Sequence, residues 1–255
     1  MSAVPPSSTP PSSTPRSSTP PPAPASLQAP ALPRQRPLLK VCGLRQPQQA
    51  AAVAALGVDA LGVIGVRRSP RWLAPEERPA LFAAMAQAAP ACLGVLVVAD
   101  PGETELEELA AGQGHQVVQL HGDESPERCA ELRQRLGPEL ELWKALRIRR
   151  PEDLLLADAY APHVDALLLD AWVPDQLGGT GHRIPIEWLQ AFHPQRPWWL
   201  AGGISPERVA PVLASLRPDG LDASSSVERA PGDKDLERVA ALVAALRPFR
   251  QDQPS

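Results

Sequence analysis

The 255-residue sequence is scarce in several things, and each scarcity narrows its role. It has three cysteines, Cys42, Cys92 and Cys129, far apart along the chain. That count and spacing exclude a disulfide framework and a CxxC zinc site, and they favour a reducing compartment, the cytoplasm. The five histidines, at 115, 121, 163, 182 and 193, show no HxxxH or HExxH spacing, so no metal is expected. No apolar run approaches the roughly 20 residues that span a bilayer, so the sequence does not read as a membrane protein. No acidic residue precedes Asp59. The first 37 residues carry only Arg16, Arg34 and Arg36, net +3, and the remainder is net −7. A globule of that charge lacks the basic surface that general nucleic-acid binding requires. Lysine is rare: Lys40, Lys144 and Lys234 stand against 22 arginines.

Proline, by contrast, is abundant, with 32 residues against a usual share of roughly 5%. Twelve of them fall within residues 1–37, where Ser-Ser-Thr-Pro recurs at 7–10, 12–15 and 17–20. A segment with almost nothing apolar to bury cannot offset the entropy of ordering. Residues 1–37 therefore read as a disordered tail, 38–250 as the folded domain and 251–255 as a short C-terminal tail.

From Leu38 onward, short β-branched apolar runs alternate with Ala/Leu/Glu/Arg-rich stretches that often open on proline. Strands are expected to begin near Leu38, Ala60, Cys92, Val117, Leu140, Ala166, Trp198 and Gly220. The helices expected between and after them cover Gln46–Leu56, Pro75–Ala89, Glu103–Ala111, Pro126–Leu136, Pro151–Tyr160, Pro185–Phe192, Pro206–Leu216 and Asp233–Leu246. Proline suits the first helical turn, where its missing N–H has no partner to lose. Runs such as ALLLD suit strands covered on both faces. Eight strand–helix units in this length read as an α/β protein with a (β/α)8 TIM barrel, with an open doubly wound sheet as the alternative.

In a barrel, chemistry sits at the C-terminal strand ends. The first strand ends in Cys42-Gly43. A thiol there acts as a base or nucleophile, or is simply a small buried hydrophobe, which is the reading for Cys92 and Cys129. The sixth ends in Asp170, a carboxylate whose burial suits a general acid; capping a helix is the plainer role. The loop after it holds Gly179 and Gly181, suited to a lid or to a flexible turn. Gly202 and Gly203 follow the seventh strand, and Ser224 and Ser225 open a short helix after the eighth. Together they fit the phosphate site of this fold. His121 ends the fourth strand and either contacts substrate or serves structure. The rare lysines stand at or beside these motifs, which suggests that a compact ammonium matters there.

The ordered motifs KVCGL, SPRWL, VVQLHG, LLLDAW, GGTGH, LAGGISPERV and LDASSSVERAPGDKD make the chain similar, over about residues 38–248, to the phosphoribosylanthranilate isomerases. The resemblance implies a (β/α)8 enzyme of tryptophan biosynthesis that needs no cofactor. It implies an Amadori rearrangement of N-(5-phosphoribosyl)anthranilate to 1-(2-carboxyphenylamino)-1-deoxyribulose 5-phosphate. It places Asp170 as the general acid, Cys42 as the general base and Arg71 against the anthranilate carboxylate. Gly202, Gly203, Ser224 and Ser225 fall at the phosphate, and His121 and Asp222 at the sugar. The chain departs from the family pattern at Ser226, usually glycine, where a Cβ crowds the loop or a hydroxyl adds a donor. It departs also along Gly62-Val63-Ile64-Gly65-Val66, where aromatics are usual, which shifts the anthranilate wall toward Trp72 or Trp172. A phosphosugar is the expected partner and a monomer the expected state. The alternatives are another sugar-phosphate isomerase barrel, or a non-catalytic barrel scaffold whose Pro-rich tail docks elsewhere.

Overall fold

The computed structural model describes Met1, residues 37–171 and residues 183–251. The chain divides into two units, residues 1–30 and 31–255. The tail expected over 1–37 lies, but for its ends, outside the described residues, as do Gly179, Gly181 and Trp172.

Eight parallel strands form a closed barrel in sequence order. They are β1 Leu38–Cys42, β2 Ala60–Ile64, β3 Leu93–Val98, β4 Val117–Leu120, β5 Glu141–Ile148, β6 Ala166–Ala171, β7 Trp198–Leu200 and β8 Gly220–Ala223. The ring closes where β1 pairs β8, with Lys40 beside Asp222. Every strand starts within one residue of its expected position. The helices are α1 Pro47–Ala55, α2 Arg78–Ala88, α3 Pro126–Leu136, α4 Leu156–Tyr160, α5 Ile186–Leu189, α6 Pro206–Ser215 and α7 Leu236–Gln251. Proline occupies the first turn of α1, α3 and α6. Among the described residues, no helix is long and apolar enough to cross a membrane.

The strands alternate between two cores, as a side-chain period of two requires. Leu39, Val41, Leu61 and Leu169 face outward and pack with helix residues such as Val53, Phe82 and Leu242. Cys42, Ala60, Val97, Val117, Leu168 and Ala201 face inward. Trp143 and Trp199 fill the interior, their ring centroids 4.8 Å apart and their planes tilted by 32°. Gly220 makes room for that pair, because a Cβ there would lie 2.2 Å from Trp199.

Several helices differ from expectation. The segment expected as Pro151–Tyr160 opens as a 3-10 helix over Pro151–Leu155 and is α-helical only over Leu156–Tyr160. The segment expected as Glu103–Ala111 forms a 3-10 helix over Glu103–Leu109. Its four glutamates repel one another at helical spacing, and Gly112 and Gly114 follow immediately. The segment expected as Pro185–Phe192 keeps only the four residues of α5. Finally, α7 begins three residues later than Asp233, because Asp233–Lys234 pair antiparallel with Glu228–Ala230. These two short strands, β9 and β10, turn at Gly232, whose φ of 86° suits glycine.

Candidate active site

Alternation along the strands brings Lys40 and Cys42 (β1), Gln119 and His121 (β4), Asp170 (β6) and Asp222 (β8) to the inward face at the C-terminal mouth. All six are buried, Lys40 completely. Their polar contacts with one another fall into two groups, one around Lys40 and one around His121. Lys40 Nζ donates to Asp222 Oδ2 at 3.0 Å. On the acid side, His121 Nε2 stands 3.5 Å from Asp170 Oδ2. Asp170 Oδ1 also accepts from the Ala171 N–H at 2.9 Å. Burial pushes the Asp222 carboxyl up, and the Lys40 ammonium opposes that.

Cys42 is packed by its neighbours. Gly62 lies directly across on β2, and a Cβ there would come 2.5 Å from Cys42 Sγ. The departure from aromatic residues along β2 therefore leaves the thiol space where it needs it. Two other groups hold the Cys42 carbonyl: Ser224 Oγ donates to it at 3.0 Å and Lys234 Nζ at 2.5 Å. The Ser224 hydroxyl is thus committed to strand β1. Burial pushes the Cys42 thiol up; Lys40 opposes that, Asp222 reinforces it and Lys234 opposes it. Burial also acts against the charged form of Lys40, but Asp222 and Cys42 more than offset it, so this ammonium is held above its usual range. Cys92 and Cys129 behave as buried hydrophobes, both pushed up to about 12 by burial.

Arg71 is oriented by Glu228. Its Nε donates to Glu228 Oε1 at 2.9 Å and its Nη2 to Oε2 at 2.7 Å. Its Nη1 has no partner among the described residues, so one edge of the fork is available to a ligand carboxylate. Glu228 also accepts from Lys234 Nζ at 2.6 Å. Burial raises a carboxylate, but here Arg71 and Lys234 pull Glu228 below its usual range. Glu228 is therefore a hinge between the Arg71 side and the floor beneath Cys42, a role that its motif alone does not reveal.

Gly202 and Gly203 both take left-handed backbone, with φ of 89° and 64°, a conformation that glycine adopts at no steric cost. Ser225 starts the 3-10 turn Ser225–Val227 after β8. The Ser226 hydroxyl donates to the Ile204 carbonyl, so its added group serves as a donor that ties the β7 loop to the β8 loop. Ser226→Gly is expected to cost about 1 kcal/mol through that lost bond, measured by denaturant unfolding; an unchanged midpoint would remove the tie from the account.

Of the three rare lysines, Lys40 and Lys234 border the thiol. Lys144 does not: alternation turns it to the outer layer with Leu142 and Leu146, where it pairs Glu124 at 2.6 Å. Trp72 bridges to Ile64 on β2 and keeps its Nε1 buried without a partner among the described residues. Among the described residues, no group of His, Cys, Asp and Glu is arranged to hold a metal ion.

A closed parallel barrel with an acid, an imidazole, a thiol and a buried ammonium at its C-terminal mouth belongs to the (β/α)8 class in which that mouth carries the chemistry. The family model of N-(5'-phosphoribosyl)anthranilate (PRA) isomerase matches residues 39–245. The N-(5'-phosphoribosyl)anthranilate isomerase of Synechococcus elongatus is 50% identical over 208 residues, 82% of this chain and 95% of its own length. The crystal structure of phosphoribosyl anthranilate isomerase from Thermus thermophilus is 36% identical, with a TM-score of 0.70 over 84% of this chain and all of that one. TrpF from Jonesia denitrificans is 33% identical at the same TM-score, covering 85% of this chain and 100% of its own. The chain belongs to the N-(5'-phosphoribosyl)anthranilate isomerase family.

Proposed function

We propose that this isomerase converts N-(5-phosphoribosyl)anthranilate to 1-(2-carboxyphenylamino)-1-deoxyribulose 5-phosphate with Asp170 as acid and Cys42 as base. The observation that carries the reading is the burial of both groups on the inward face of the mouth, with Lys40 bonded to Asp222 on one side and His121 3.5 Å from Asp170 on the other. Asp170 donates a proton to the furanose ring oxygen. The C1–O bond breaks, and the nitrogen lone pair forms the C1=N bond of a Schiff-base cation. The Cys42 thiolate removes the proton from C2, and those electrons form an enolamine. Tautomerisation moves a proton to C1 and leaves a ketone at C2. The change is an internal oxidation–reduction: C2 rises from alcohol to ketone as C1 falls to the amine level. Both proton transfers call for positioned groups with different environments, which the mouth supplies.

The remaining assignments follow the same geometry. Arg71, fixed by Glu228, takes the anthranilate carboxylate on its remaining edge. Gly202, Gly203, Ser224 and Ser225 line the phosphate end, and His121 and Asp222 meet the sugar hydroxyls. A single chain suffices, since beyond Met1 the exposed large apolar side chains among the described residues are Leu155, Leu156 and Leu236. Three free, buried cysteines fit a reducing cytoplasm.

Purified protein given N-(5-phosphoribosyl)anthranilate should form the aminoketose, identified by chromatography against authentic product. Arg71→Ala should raise KM by about tenfold or more, since a charge-assisted bond contributes about 1.5–3 kcal/mol. A KM that stays within twofold would dismiss the carboxylate assignment.

A further inference from the structure

We infer that Gln119 fixes the proton tautomer of His121, so that its Nε2–H faces Asp170, which makes Gln119 a positioning residue for the acid. The inference rests on the reading of Asp170 as that acid. Gln119 is the third residue of strand β4, and His121, two positions on, directly follows the strand's last residue, so both point inward. Gln119 Nε2 lies 3.0 Å from His121 Nδ1. An amide nitrogen only donates, so Nδ1 is held as the acceptor, and a neutral imidazole then carries its one proton on Nε2. Nε2 stands 3.5 Å from Asp170 Oδ2. Catalytic contacts of this length commonly tighten when substrate is bound. Once Asp170 has given its proton to the ring oxygen, the Nε2–H is the donor that faces the new carboxylate.

The cost of Gln119 also argues for this role. It is 1% exposed, and its Oε1 is buried without a partner among the described residues. A half-satisfied buried amide lowers stability. Its barrel neighbours across the sheet, Val97 and Trp143, are apolar, and an apolar side chain would suit the position better for folding alone. The hydrogen bond that its side chain makes is to the ring that faces the acid. Local rules are broken in this way mainly where function requires it.

The test is 15N NMR of the full chain labelled in its histidine rings, with His121 assigned by the signal lost in His121→Asn. The wild type should show Nε2 protonated and Nδ1 bare. In Gln119→Glu the carboxylate can only accept, so Nδ1 should become protonated. Gln119→Leu should fold and lose about tenfold in kcat, part of the 10²–10⁴ that a positioned acid provides, with KM within about twofold. A protonated Nδ1 in the wild type, an unaltered ring pattern in Gln119→Glu, or full kcat in Gln119→Leu would each overturn the inference. Asp170→Asn separates the two readings. If it retains turnover, the acid assignment fails whatever the ring shows; if it loses turnover while the wild-type Nδ1 is protonated, only the tautomer inference fails.

Discussion

Asp170→Asn is expected to lower kcat by about 10²–10⁴-fold, the range a positioned general acid contributes, while the barrel still folds. Asparagine keeps the shape of the side chain, and its carbonyl can accept the Ala171 N–H that Asp170 Oδ1 accepts now at 2.9 Å. What it lacks is a proton that the furanose oxygen can take. As the acid awaiting substrate Asp170 is neutral, and asparagine is neutral too, so the exchange strands no charge in the buried mouth. The melting temperature should therefore stay level as activity falls. Steady-state kinetics beside a thermal melt checks this. Parallel losses of stability and rate would recast Asp170 as a structural group.

Lys40→Met should damage both stability and chemistry, and the two effects can be separated. The ammonium is fully buried and its bond to Asp222 is 3.0 Å. Breaking a buried pair from one side typically costs about 3–5 kcal/mol because the other charge is stranded. Adding Asp222→Asn removes the stranded charge and should restore part of that stability. It should not restore the rate. Cys42 acts as a thiolate, burial already raises its thiol, and Lys40 is the foremost group opposing that. The acidic limb of kcat/KM, where activity grows as the thiol ionises, should therefore move to higher pH in both variants. Chemical denaturation and a pH–rate profile read the two effects. An acidic limb that stays in place in both variants would deny Lys40 its influence on the base.

Much of this architecture is legible in the sequence because a barrel strand buried on both faces must be apolar and must alternate inward and outward. That pattern places all eight strand starts within one residue, and the strand ends it marks bring Cys42, His121 and Asp170 to the mouth, with Asp222 named by the resemblance. Scarcity helped as well: where arginine is the default cation, Lys40 and Lys234 proved to be buried beside the thiol. The same hint misplaced Lys144, because one residue of parity on β5 decides which core a side chain enters. Glu228 could not be assigned from its motif, since its role depends on Arg71, 157 residues away, and on the unforeseen hairpin that brings Lys234 back to it. Gln119 reads as an ordinary polar residue until its burial and its bond to His121 are seen. The glutamate-rich segment over Glu103–Leu109 has helical composition, but helix propensity is a weak prior when like charges crowd one turn.

The most direct test of the account is the turnover of N-(5-phosphoribosyl)anthranilate by the wild-type chain and by Cys42→Ala, side by side. The account predicts that the wild type forms the aminoketose phosphate and that the variant, equally folded, is slower by about 10²–10⁴-fold, the scale of one lost general base. No product from the wild type, or an undiminished rate from Cys42→Ala, would contradict it.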